Sequence, residues 1–149
     1  MSTFPKRNAG LDARRAPRTT LSLTEAAREV LDGPHTAVLA TSNADGRPQS
    51  SVIFVERDGD TVVFSTVEGR LKTRNMRRDP RVSLLVVGHP GRYVEIRGSV
   101  EITADPEKVL LHKMYARYMG GATPPPEPDA ERLIVRIVPE KEYLWPPSA

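Results

Sequence analysis

The chain contains no cysteine. Disulfides, thiolate catalysis and thiolate-bound metals are therefore excluded. No apolar run approaches the roughly 18–20 residues needed to span a bilayer. Residues 1–20 also lack the apolar stretch of a secretory leader. A cytoplasmic protein that does not enter a membrane is the expectation. His35, His89 and His112 stand apart, with no metal-ligand spacing such as His-x-x-x-His, so no metal site is expected. There is no internal repeat and no alternation of strand and helix of the dinucleotide-binding kind. No triad of nucleophile, base and orienting acid is evident. A recognition helix and stacking aromatics on a β-face are missing too, which places nucleic-acid binding low among the functions to consider.

What the chain has is positive charge in two places. Its 149 residues suit one domain with a single core, and the formal net charge is only +3. Residues 1–20 carry Lys6, Arg7, Arg14, Arg15 and Arg18 against Asp12 alone. Residues 70–81 carry Arg70, Lys72, Arg74, Arg77, Arg78 and Arg81 against Asp79 alone. The rest of the chain is acidic. A nucleic-acid binder spreads its charge over a wider face, whereas this pattern fits one local anion site plus a tail. Pro5, Gly10 and Pro17 with few large apolar residues make residues 1–20 a flexible basic arm. Residues 21–149 form the single domain.

Hydrophobic periodicity orders that domain. Ser22-Leu23-Thr24-Glu25 has capping-box spacing with Ser22 as the cap. Leu23, Ala26, Ala27, Val30 and Leu31 then form one stripe of a helix ending near Gly33-Pro34. Strands are expected over residues 36–42, 49–56 and 61–66, separated by Asn43-Ala44-Asp45-Gly46 and Asp58-Gly59 turns. A short helix over residues 70–78 stops at Asp79-Pro80. Residues 82–87 and 93–102 are two further strands, and Gly98 marks a bulge or bend in the second. Asp105-Pro106 starts a helix whose buried stripe is Leu111, Met114, Tyr115, Tyr118 and Met119. Pro-rich residues 123–128 lead to a last strand over residues 133–138, and the chain closes on Tyr143-Leu144-Trp145. Six antiparallel strands with few helices point to a small closed barrel.

Within this order, Phe64-Ser65-Thr66 followed by a Gly69 turn and Arg70, Lys72, Thr73 and Asn75 has the chemistry of a phosphate seat. Backbone N–H groups at a helix start are unpaired and carry the positive end of the helix dipole. Arg grips phosphate oxygens with two parallel hydrogen bonds, and Lys adds a point charge. A small-molecule cofactor with a phosphate tail follows as the leading reading. Arg77, Arg78 and Arg81 read as structural or surface residues.

Three segments carry a family resemblance. They are Val38-Leu39-Ala40-Thr41 with Asp45-Gly46-Arg47-Pro48-Gln49, then Phe64-Ser65-Thr66 with Gly69 to Asn75, and Arg77-Arg78-Asp79-Pro80-Arg81 with Tyr93 to Ser99. Together, over residues 22–145, the chain resembles the pyridoxamine 5′-phosphate oxidase-like, FMN-binding split β-barrel superfamily. The branch it looks most like is that of oxidoreductases dependent on the deazaflavin coenzyme F420. The resemblance implies a mainly β, six-stranded antiparallel split barrel and a homodimer with cofactor sites at the subunit interface. It places the phosphate on Arg70, Lys72 and Thr73 with help from Ser65 and Thr66, and the ring along Gln49, Ser50 and Ser51. Tyr143 and Trp145 would reach the partner's site or the substrate. The implied activity is hydride transfer between reduced F420 and a small organic acceptor. FMN serving the same fold, or a non-catalytic flavin carrier, are the alternatives. In the family, pyridoxamine phosphate oxidation goes with a basic motif after a Trp. Pro146-Pro147-Ser148-Ala149 follow Trp145 here, so that substrate is not expected.

Overall fold

A computed structural model describes residues 21–147, and the basic arm expected over residues 1–20 lies outside the described residues. Helix α1 (Glu25–Asp32) packs Ala27, Val30 and Leu31 into the core. Its cap is Thr24, whose hydroxyl accepts from the Ala27 N–H at 3.2 Å, and not Ser22 as the capping-box spacing indicated. Glu142 explains the difference. Its carboxylate accepts the Thr24 N–H at 2.9 Å and the Thr24 O–H at 2.7 Å. That is a tertiary contact which local spacing does not encode.

Among the described residues seven strands follow, one more than expected: β1 (Ala37–Ser42), β2 (Pro48–Ile53), β3 (Glu56–Asp58), β4 (Thr61–Val67), β5 (Arg81–Val87), β6 (Tyr93–Ala104) and β7 (Arg132–Trp145). Helix α2 (Leu71–Arg78) lies between β4 and β5, and α3 (Val109–Tyr118) between β6 and β7. The extra strand arises because residues 49–56 break at Phe54-Val55. β2 pairs with β1 while β3 pairs with β4. All pairings are antiparallel, in the order β2-β1-β5-β6-β7-β4-β3. The two end strands are thus joined by two residues, and the three residue steps from Ile53 to Glu56 reach only about 10 Å. The sheet must curl until its ends meet, which makes the split β-barrel.

β6 pairs with β5 along its first half and with β7 along its whole length. The register slips between Arg97 and Gly98, opposite Pro139, which has no N–H to give the ladder. β7 accordingly runs on to Trp145, well past the expected end at Val138. Phe64, Leu39, Leu84, Ile96 and Ile137 fill the barrel. α3 covers the outside, where Leu110 and Met114 meet Val63 and Ile134. Asp105 caps α3 from a distance, accepting from the N–H groups of Val109 and Leu110 at 3.0 Å each. Among the described residues no helix is long and apolar enough to cross a membrane.

Candidate functional site

β4 ends at Val67, and Gly69 turns the chain with φ +88°, a conformation that glycine adopts at little cost. Arg70 then stands at the N-cap of α2 without a side-chain cap bond, and the first turn holds no acidic residue. The positive end of the helix is left open to an anion. Thr73 pins this arrangement. Its hydroxyl donates to the Val67 carbonyl at 2.9 Å and lies 3.2 Å from the Thr66 hydroxyl. Both threonines are buried.

Asn75 bolts the same helix to the barrel. Its amide donates to Thr41 Oγ1 at 3.0 Å and to Asn43 Oδ1 at 2.9 Å. Its oxygen accepts from Arg78 at 2.8 Å. Thr41 in turn donates to Gln49 Oε1 at 2.7 Å. A continuous run of hydrogen bonds therefore joins α2 to β2. Gln49 spends its remaining amide on the Ser50 carbonyl at 3.1 Å.

Three cations remain. Among the described residues, the side chains of Arg70, Lys72 and Arg74 have no hydrogen-bond or ion-pair partner, and Arg74 is the exposed one further along the helix. Burial, and then the nearby charges of Arg70 and Arg132, push the Lys72 ammonium below its ordinary pKa. A cationic cluster that disfavours its own charge gains when an anion arrives. Its other arginines are occupied: Arg77 by Glu68, Arg78 by the Ser42 carbonyl and Arg81 by Asp79. An open cleft of about 580 Å³ lies at the opposite end of α2, lined by Ser42, Asn43, Arg78, Asp79 and Arg81. Its arginines are already engaged in these contacts, so it is not the seat.

Among the described residues β2 is an end strand, with one backbone edge paired with no other strand. The Ser51 hydroxyl on it is buried and has no hydrogen-bond partner among the described residues, which is costly unless something binds there. Ser50 is exposed on the opposite face. Tyr143 and Trp145 are 42% and 53% exposed. Through the pairs Tyr143–Glu95, Glu95–Leu85, Leu85–Val38 and Val38–Val52 they share the outward face of the sheet with β2.

Sequence neighbours thus divide into two sets. Ser65, Arg70 and Lys72 present free chemistry around the helix start, with Ser51 on β2. Thr66, Thr73, Asn75 and Gln49 are committed to the bracing that holds them. Arg132 stands beside the first set, already paired with Glu127, and has no signal in the local sequence. It comes from a distant strand, where it pairs with Val67 and lies 3.4 Å from Ser65 Oγ.

The sequence profile of the pyridoxamine 5′-phosphate oxidase family matches residues 23–146. The chain belongs to this family. Its curated relatives include the pyridoxine/pyridoxamine 5′-phosphate oxidase of Aeromonas hydrophila, 36% identical over 81 residues, or 53% of this chain and 38% of that enzyme. The Streptomyces avermitilis enzyme of the same name is 36% identical over 84 residues, 55% of this chain and 38% of that one. The family resemblance therefore spans well under two thirds of those proteins. A solved structure named F420 reductase is 34% identical, with a TM-score of 0.75, and the match covers 81% of this chain and 98% of that one. A conserved hypothetical protein from Mycobacterium tuberculosis is 28% identical, with a TM-score of 0.68, over 88% of this chain and 89% of that one.

Proposed function

We propose that this family member is an oxidoreductase that binds coenzyme F420 through its phosphate and works as a homodimer on a small organic acceptor. The observation that carries the reading is the pair Arg70 and Lys72, which have no counter-charge among the described residues at the open start of α2. Two further features fit such a cofactor. The free edge of β2 and the unpartnered Ser51 hydroxyl offer hydrogen bonds to a ring's polar edge. Similarity to a protein named F420 reductase over nearly its whole length favours the deazaflavin. The seat reads a phosphate and not a ring, so FMN is the alternative of the same chemistry.

When bound, reduced F420 supplies a hydride to an electrophilic carbon of the acceptor. The protein's part is position, electrostatics and exclusion of water. Arg70 and Lys72 would fix the phosphate. Thr73 would hold the helix start against β4, and the Asn75–Thr41–Gln49 run would keep the phosphate seat and β2 in register. Tyr143 and Trp145 are placed to contribute to a substrate wall or to the partner's site.

The test is a side-by-side titration of the protein with F420 and FMN, followed by cofactor fluorescence at low and moderate salt. F420 is expected to bind more tightly, and both affinities are expected to fall with salt, because an exposed anion site is screened. Lys72→Ala is expected to weaken binding by about 1.5–3 kcal/mol, the range for a charge-assisted hydrogen bond. Unchanged binding of both cofactors in that variant would remove the phosphate seat, and a preference for FMN would move the protein to the flavin branch.

A further inference from the structure

Arg132 opens β7 with its side chain only 13% exposed. It is not a free surface cation. Glu127 takes two of its three nitrogens, Nε at 2.8 Å and Nη2 at 2.7 Å. Glu127 is itself held by Lys108, whose Nζ lies 3.5 Å from its carboxylate and donates to its carbonyl at 3.1 Å. A guanidinium gripped along one edge cannot swing, and its remaining nitrogen has a fixed direction. That nitrogen, Nη1, points to Ser65 Oγ at 3.4 Å. Ser65 receives this bond, which leaves its own O–H to donate elsewhere. Lys72 is close enough to Arg132 for the two charges to oppose each other.

We propose that Arg132 and Ser65 complete the phosphate seat, with Arg132 as a third cationic ligand and Glu127 and Lys108 as the residues that position it. The proposal rests on the phosphate reading above and adds a ligand from the opposite end of the domain sequence. Arg70 and Lys72 would approach the phosphate from the helix, and Arg132 Nη1 and the Ser65 hydroxyl from the strand side. An anion with oxygens in several directions is matched by donors arriving from two elements, as in other sites that recognise phosphate by geometry as well as charge.

A purely structural Arg132 would tie the Pro-rich segment to β7 and do nothing for a ligand. Comparing each cofactor with its phosphate-free counterpart separates the two roles. The probes are FMN against riboflavin, and F420 against the deazaflavin chromophore without its phosphate-bearing tail. Arg132→Ala is expected to weaken the phosphate-bearing forms roughly ten- to a hundredfold, the span of a charged hydrogen bond. The phosphate-free forms should stay within about twofold. Arg132→Lys keeps a cation for Glu127 but loses the fork, and is expected to fold and still lose affinity for the phosphate forms. Glu127→Gln keeps the shape, frees the guanidinium and should show a smaller loss of the same selectivity.

Equal weakening of phosphate-bearing and phosphate-free forms would assign Arg132 to structure and overturn the proposal. So would wild-type affinities in both Arg132 variants. Lys72→Ala keeps the two readings apart. If it loses phosphate selectivity while the Arg132 variants do not, only this proposal fails. If it too leaves selectivity unchanged, or if none of the four compounds binds, the phosphate reading fails and this proposal with it.

Discussion

Lys72 holds its charge less readily than a lysine in water. Burial and two neighbouring guanidinium charges lower its pKa, and no carboxylate among the described residues restores it. Binding a phosphate reverses the balance, so the bound pKa lies above the free one. Affinity is then full below the free-state pKa and falls as pH rises through it, at lower pH than an ordinary lysine would give. Titrating the protein upward from neutral pH into the alkaline range should show this decline, and Lys72→Arg, whose charge persists, should flatten it. A wild-type profile that matches the Arg variant would contradict the role of Lys72. Gly98 makes a different demand. A Cβ there would lie 2.2 Å from the Val138 carbonyl oxygen, a backbone atom that cannot turn aside. Gly98→Ala is expected to cost about 1–3 kcal/mol, the range for overpacking, seen as a lower Tm. An unchanged Tm would mean that the bulge relaxes freely. The sequence made Gly98 legible, because a glycine inside a strictly alternating strand has few other reasons to be there.

Secondary elements show why some site residues were legible and others were not. Arg70 and Lys72 were visible because strand end, turn and helix start are consecutive, so that part of the proposed seat lies within one motif. Arg132 was invisible. Its place beside Ser65 depends on β4 pairing with β7, a register set by the barrel and not by spacing. Asn75 was visible as a polar residue on the right helix, but its task was not. Its partners, Thr41 and Asn43, sit at the end of β1. The split of residues 49–56 into two strands was hidden for the same reason, since alternation continues unbroken while the pairing partner changes. The bracing role of Asn75 has a consequence. Asn75→Ala removes three hydrogen bonds and leaves the buried Thr41 and the Arg78 guanidinium with fewer partners. A loss of about 1–3 kcal/mol of stability is expected. Cofactor affinity should fall as well, measured well below the Tm, because α2 carries Arg70 and Lys72. Full stability with lost affinity would instead make Asn75 a direct ligand.

At the scale of the whole molecule, one face is unfinished. Val87, Tyr93 and Trp145 lie side by side across β5, β6 and β7, and are 50%, 39% and 53% exposed. Val52 on β2 extends the same face at 65% exposure. Apart from the exposed Lys141 opposite Arg97, the charged groups among them are paired with one another. Ser83 donates to Glu95 at 2.6 Å, Arg97 pairs with Glu95 at 3.1 Å, and the Arg97 guanidinium sits 4.5 Å over the Tyr143 ring. A face that is apolar, and whose charges are mostly paired internally, loses little when water leaves it. Covering by a second copy is the homodimer proposed above, and it would bring the partner's Tyr143 and Trp145 toward the outward side of β2. Val87→Glu puts a charge in the middle of that contact, where desolvation is costly, and leaves the barrel core untouched. The wild type is expected to sediment at twice the chain mass of 16.5 kDa, and the variant as a monomer with weakened cofactor binding. Trp145 is the sole tryptophan, so its emission reports the same event. It should be blue-shifted in the dimer and shift to the red in Val87→Glu. A wild type that sediments as a monomer at tens of micromolar, with Trp145 emitting as if in water, would rule out the dimer and leave each chain to build its site alone.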